Sequence, residues 1–239
     1  MQSPTVGQAL AGVRDARSAF AFIEWFAREW LTPIQDGDGY TTEEVAAAEH
    51  RLGLRLPASL AAFYRLFGHR TDLTSNQDRL LPLACLRVED GVLVYRIENQ
   101  GCSSWGIRVS DLGLADSPVV FDGYPGRRPW RPFLESFSLA AAEMVLYEAI
   151  FTGDKGCNDN RELDEADTVW LQELYERLPF PDYPAWWQSE VPHGIRWFGG
   201  PDVLLREDSR NWLWVLAHNT ESLAQVRNEL PGDWLMLPD

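Results

Sequence analysis

An α+β fold is the architecture this sequence predicts, and three observations predict it. Helix-period apolar stripes with recognisable caps fill residues 6–68. From about residue 80 the apolar period falls to two, in short β-rich runs separated by Gly, Asn, Asp and Ser. Helical patterns return at 138–178, and a further strand block follows. Elements in runs, not in strict alternation, favour helices packed on one face of a mostly antiparallel sheet, with further helices and strands in the C-terminal third.

Residues 6–31 read as one amphipathic helix, with Leu10, Val13, Phe20, Ile23, Phe26 and Trp30 recurring at three- and four-residue steps. "PIQDGDGY" makes a turn-rich break in which Asp36 and Asp38 bond to local backbone. In "TTEEVAAAEHRLG" Thr41 and Glu44 form a capping box, and Gly53 stands where the helix ends. "LPASLAAFYRLFG" is a second helix, with Pro57 in its first turn, a stripe of Leu60, Phe63, Tyr64 and Phe67, and Gly68 as its stop.

"LLPLACLRV", "VLVYRIE", "WGIRV" and "PVVFD" read as strands, the first demoted by Pro82 to an edge strand or a strand entry. Between two of them "NQGCSS" is a hairpin turn, with Gly101 supplying a positive φ. A helix spans 138–151 with Ser138 as its cap. Another spans about 162–178, with Val169, Leu171, Leu174 and Leu178 on its inner side. "LPFPDYPAWW" is a proline-stiffened connector. The strands "IRWFG", "DVLLRE" and "NWLWVLAH", a short helix "TESLAQVRNEL" and "WLML" complete the chain.

At 239 residues the chain suits one large domain or two small ones. No apolar run is long enough for a membrane helix. "AFAFIEWFAREW" lacks the basic flank and cleavage site of a secretion signal. Cys85, Cys102 and Cys157 form no CxxC pair and leave an odd thiol, which fits a reducing cytoplasm. A net charge of −15 repels phosphate backbones, so direct nucleic-acid binding is not expected. That acidity serves solubility or steering toward a basic partner. It is unevenly spread: residues 154–176 hold eight acids against Lys155 and Arg161, while "GYPGRRPWRP" holds three arginines around Trp130. That basic loop could bind an anion or pair with the acidic segment.

Catalytic templates find no match. GxSxG, GxGxxG and GxxxxGK[ST] are absent, and His50, His69, His193 and His218 stand far apart without HExxH or HxH. Cys102 has no histidine near in sequence to act as a base, which points to a small turn residue. "DKGCNDNRELDE" aligns Asp154, Asn158 and Glu165 with positions one, five and twelve of a calcium loop. Gly156 replaces the third ligand, however, and Asp159 takes the place that needs glycine. Glu162, Asp164 and Glu165 are better read as an acidic helix start. No catalytic, metal or cofactor residue is expected. The eleven tryptophans, where about three would be ordinary, are read mostly as core, with a minority as exposed anchors.

The order of motifs over 40–151 resembles the SUKH superfamily, the Smi/Knr-type domain. "YTTEEVAAAEHRLGLRLPASLAAFYRLFG" places Glu44, Glu49, Leu52, Gly53, Leu56, Pro57, Leu60, Phe63, Tyr64 and Gly68 at the positions of that family's helix–Leu-Pro–helix signature. "ENQGCSSWGI", "PVVF" and "SLAAAEMVLYEAI" take the places of its central strands and following helix. The resemblance implies one domain over 1–239: a helical extension at 1–36, the matching core at 37–151, and a helix with strands at 152–239. It also implies no enzyme activity and no cofactor. The implied role is that of a cytoplasmic immunity protein, monomer or weak homodimer, that neutralises a basic bacterial polymorphic toxin domain such as a nuclease or deaminase. It implies neither a nucleic-acid nor a membrane partner. A regulatory interaction module without a toxin, as in fungal cell-wall relatives, is the alternative, and a carbohydrate-binding or carbohydrate-active protein is a second. The partner surface is expected at exposed loop and acidic residues: Asp36, Asp38, Glu98, Asp122, Tyr124, Trp130, Asp159, Glu162 and Asp164.

Overall fold

The computed structural model describes residues 4–123, 129–152, 157–185 and 194–235. It is an α+β structure, with antiparallel pairing in both of its sheets. The chain divides into two compact units: Arg14–Ala149, the central unit, and Ile150–Asp239 with Met1–Val13, the C-terminal unit. Among the described residues no helix is long and apolar enough to cross a membrane.

The helix expected over 6–31 is two helices, α1 (Val6–Leu10) and α2 (Ala16–Trp30). The break has a local cause. Asp15 adopts an extended backbone, its carboxylate accepts from the Ser18 N–H, and the Ser18 hydroxyl returns a bond to the Asp15 N–H. A new capping box therefore starts a new helix just where the chain passes from one unit to the other.

In the central unit, α3 (Thr42–Leu52) opens on the Thr41–Glu44 capping box and closes at Gly53 with φ of 67°. α4 (Ala58–Phe67) buries Leu60, Phe63, Tyr64 and Phe67 completely. Gly68, read as a stop, is needed because a Cβ there would lie 2.5 Å from the Tyr64 carbonyl oxygen and 2.6 Å from the Tyr40 ring. A short helix α5 (Thr71–Thr74) precedes the sheet. "LLPLACLRV" is not one strand: β1 (Arg79–Leu80) and β2 (Arg87–Glu89) flank a 3-10 turn that Pro82 starts, and both pair along one edge of β3 (Val92–Ile97). β4 (Ser104–Arg108), β5 (Val119–Asp122) and β6 (Arg131–Leu134) complete this sheet. α6 (Phe137–Ile150) is buried on nearly every side, as its almost unbroken apolar sequence requires. Phe137 meets Phe63 at 5.6 Å and Tyr95 at 5.2 Å, and so joins α4, α6 and β3.

The core of this unit also contains charge. A register shift in β3 between Val94 and Arg96 accompanies a fully buried Arg96. Its guanidinium donates to Glu143 (3.0 Å) and Glu148 (3.0 Å), both on α6, and to Asp78 (3.2 Å). It also lies 4.7 Å from the Trp105 ring and 5.2 Å from the Tyr147 ring. Glu148 accepts three backbone N–H groups, from Asn76, Gln77 and Asp78. Three carboxyls around one guanidinium leave an excess of negative charge out of water. Burial pushes the Asp78 carboxyl up to about 7 against the pull of Arg96, with Glu148 and Glu143 adding to the rise.

The C-terminal unit orders its strands as β7 (Asn158–Glu162), β11 (Trp212–Ala217), β10 (Val203–Asp208), β9 (Ile195–Gly199) and β8 (Glu176–Arg177). α7 (Glu165–Leu174) and α8 (Thr220–Glu229) cover one sheet face through Leu171, Leu205, Leu213, Val215, Leu223 and Val226. On the other face Trp197 is fully buried and donates to the Tyr183 hydroxyl at 2.8 Å, while Trp214 donates to Asp208 at 3.1 Å.

The Arg96 cluster gives a pH test. Between about pH 4 and about pH 7 the folded protein holds a proton on Asp78 that the unfolded chain has lost, so this contribution to stability declines as pH rises through that window. Asp78→Asn fixes the neutral form. In urea titrations its stability relative to the native chain should climb across the window and level off above it; a constant difference at every pH contradicts the account.

Candidate interaction surface

The residues expected at the partner surface divide by what the fold does with them. Asp36 is exposed beside a groove of about 600 Å³ in the central unit, lined also by Glu24, Arg28, Tyr40 and Arg65. Asp38 is half-buried. Burial opposes its ionisation, but the Gln35 N–H at 2.8 Å and the Arg70 guanidinium at 3.0 Å outweigh that and hold its carboxyl below the usual range. Arg70 also donates to the Thr32 and Pro33 carbonyls, so Asp38 helps to lock the preceding turn. Trp130 is half-buried and its carbonyl accepts from Arg108 at 3.0 Å. Tyr124 lies outside the described residues, as do Arg127 and Arg128 of the basic loop; Arg131 sits 4.8 Å from the Phe121 ring.

Three expectations of exposure are corrected. Glu98 is buried, and its carboxylate accepts the Gln100 and Cys102 N–H groups at 2.9 Å inside the hairpin turn that Gly101 closes at φ of 73°. Asp122 is buried, accepting the Ser104 N–H at 2.8 Å; burial pushes its carboxyl up, partly offset by that bond. Asp159 is buried on β7 and ion-paired to Arg227. Glu98 and Asp122 serve nearby backbone N–H groups, and Asp159 serves a guanidinium.

Glu162 and Asp164 are exposed as expected. Their surroundings differ from the long helix expected from about 162: Asn158–Glu162 is an edge strand, and Asp164 caps α7 by accepting the Asp167 N–H at 2.8 Å. The face of α7 differs too. Val169 and Leu174, read as inward, are 49% and 50% exposed, while Asp167, Thr168 and Leu171 point in. Asp167 takes that place because Arg161, itself buried, pairs with it while donating to the Leu230 (2.9 Å) and Pro231 (2.7 Å) carbonyls. The helix is thereby turned so that Ala166, Trp170 and Leu174 lie on an outward flank, with Trp170 45% exposed.

The charge around that flank is one-sided. In the C-terminal unit Arg161, Arg177, Arg196, Arg206 and Arg227 are each paired with a carboxylate of the same unit. Glu162, Asp164, Glu165, Glu173 and Glu176 remain at the surface on or beside α7. Next to Leu174, a dimple of about 210 Å³ opens between the end of α7, the Gly200–Asp202 turn and α8. Val203, Val226 and Tyr175 form part of its lining, Asp202 and Glu229 contribute acids, and the Tyr175 hydroxyl donates to Glu229 at 2.5 Å.

Among the described residues no group of three or more His, Cys, Asp or Glu is placed to hold a metal ion. The three carboxylates gathered around Arg96 face a guanidinium. Of the described tryptophans Trp170 is the largely exposed one; Trp30, Trp105, Trp197 and Trp234 are buried, and Trp186 and Trp187 lie outside the described residues. No protein-family model, curated protein or solved structure matches this chain.

Buried and exposed acids should respond differently to truncation. Asp122→Ala and Asp159→Ala should each lower unfolding free energy by about 1–3 kcal/mol. Asp36→Ala and Glu162→Ala should stay within about 0.5 kcal/mol of the native chain. Denaturant midpoints read this directly, and equal losses at all four positions would refute the division.

Proposed function

We propose that this protein is a non-catalytic binding protein that captures a basic protein domain by surface complementarity. Of such proteins, an immunity protein against a bacterial polymorphic toxin suits the chain best. One observation carries the proposal: an exposed tryptophan and leucine on a helix whose solvent-facing charges are acidic, in a unit whose arginines are mostly consumed by internal ion pairs. Apolar anchors ringed by one sign of charge suit association with a partner of the other sign, because complementary potentials speed encounter and fix register. The helix–Leu-Pro–helix order at Glu44–Gly68 supports the immunity reading in particular. The three free cysteines suit work in a reducing cytoplasm, as a monomer or weak homodimer. A carbohydrate role would call for a row of exposed rings, and among the described residues Trp170 is alone in being largely exposed.

Co-expression tests the proposal. A toxin-like protein encoded beside this chain is the expected partner: cells producing it should survive when the chain is present, and the two should co-purify. Continued killing together with no co-purification counts decisively against it.

A further inference from the structure

We infer that the outward flank of α7, with the adjoining dimple, docks a basic amphipathic helix of the partner. This deepens the binding proposal and rests on it for the partner's existence, but not for the chemistry of the surface.

Ala166, Trp170 and Leu174 are spaced i, i+4, i+8, and so form an oblique apolar ridge rising about 12 Å along a rigid element. A ridge of that length and direction fits the groove between the side-chain rows of a second helix. Trp170 offers a large apolar area with little rotamer freedom to lose, which is the profile of an anchor residue. The dimple beyond Leu174 has the size to accept one aliphatic side chain against Val203 and Val226.

Charge selects the occupant. Glu165 and Glu173 flank the ridge on α7, and Asp202 lines the dimple. Arg177 and Arg196 are turned to Asp182 and Glu207, and His218 lies beside Asp202 at 3.3 Å. Arg210, which is exposed, sits past the far end of β10 from the Gly200–Asp202 turn. A second copy of this chain would set acids against acids, and an anionic lipid surface would be repelled for the same reason. A helix with an apolar stripe flanked by Lys or Arg satisfies both the ridge and its rim.

The test uses the full chain and two labelled 18-residue helical peptides of one amphipathic pattern, Leu with Lys and Leu with Glu. Fluorescence anisotropy should show binding of the Lys peptide only. The double variant Trp170→Ala/Leu174→Ser, which alters exposed side chains, should keep the native melting temperature and weaken that binding at least tenfold. Glu173→Lys should weaken it as well. Undiminished binding to the double variant, equal binding of the two peptides, or no binding of either overturns the inference. So does a dimer in sedimentation that this double variant disperses. The proposed toxin partner separates this inference from the broader one. If it binds native and double-variant chains equally, the surface is wrong and the function stands. If it fails to bind while the Lys peptide does, the function is wrong and the surface stands.

Discussion

A few buried arginines, Arg96, Arg161 and Arg206 among them, are each paired with carboxylates, and that constraint organises both the core and the α7 surface. Arg96 gathers three carboxyls from two elements in the central unit. Arg161 ties β7, the start of α7 and the segment after α8 into one corner of the C-terminal unit. Arg206 and Arg227 are spent in the same way on Asp208 and Asp159. Removing Arg96, or Asp167 from its pair with Arg161, would strand a buried charge at a cost of about 3–5 kcal/mol, which makes these positions hard to vary. The consequence outside is as important. Cations turned inward leave the acids of α7 to set the local field.

Much of the fold could be read from the chain because local chemistry and tertiary structure agree there. The Thr41–Glu44 box, the Gly53 cap, the Gly101 turn and the period-two runs of β3, β4, β5, β9, β10 and β11 are formed as their residues dictate. The reading failed where polar residues do structural work. β7 is spelled "NDNRE", without a β-branched or aromatic side chain, yet its burial alternates strictly. Its inward positions are Asp159 and Arg161, satisfied by Arg227 and Asp167, partners that are invisible to a hydrophobic-period reading. Inward charge also suits an edge strand, since it discourages pairing with another chain. The split between α1 and α2 is legible in the chain, since Asp15 and Ser18 have the spacing of a capping box, set within an apolar stripe that continues across it.

The same failure marks the flank of α7 that carries the proposed docking surface. A hydrophobic reading puts Val169 and Leu174 inside α7, and the Arg161–Asp167 pair turns them out. Exposed loop acids were a poorer guide, because Glu98, Asp122 and Asp159 proved to be internal acceptors. An acidic side chain in a turn has two competing uses, satisfying its own backbone or meeting a partner, and sequence alone does not distinguish them. Burial distinguishes them at once. What separates α7 from the other acidic segments is the coincidence of like charge with large apolar side chains that its own fold leaves uncovered.

The account stands on electrostatic capture guided by that acidic surface. The most direct measurement is the association rate constant between the full chain and the proposed basic partner domain as ionic strength is raised. Capture of this kind predicts a steep fall in the association rate with added salt and a much smaller change in dissociation. An association rate indifferent to salt would contradict it.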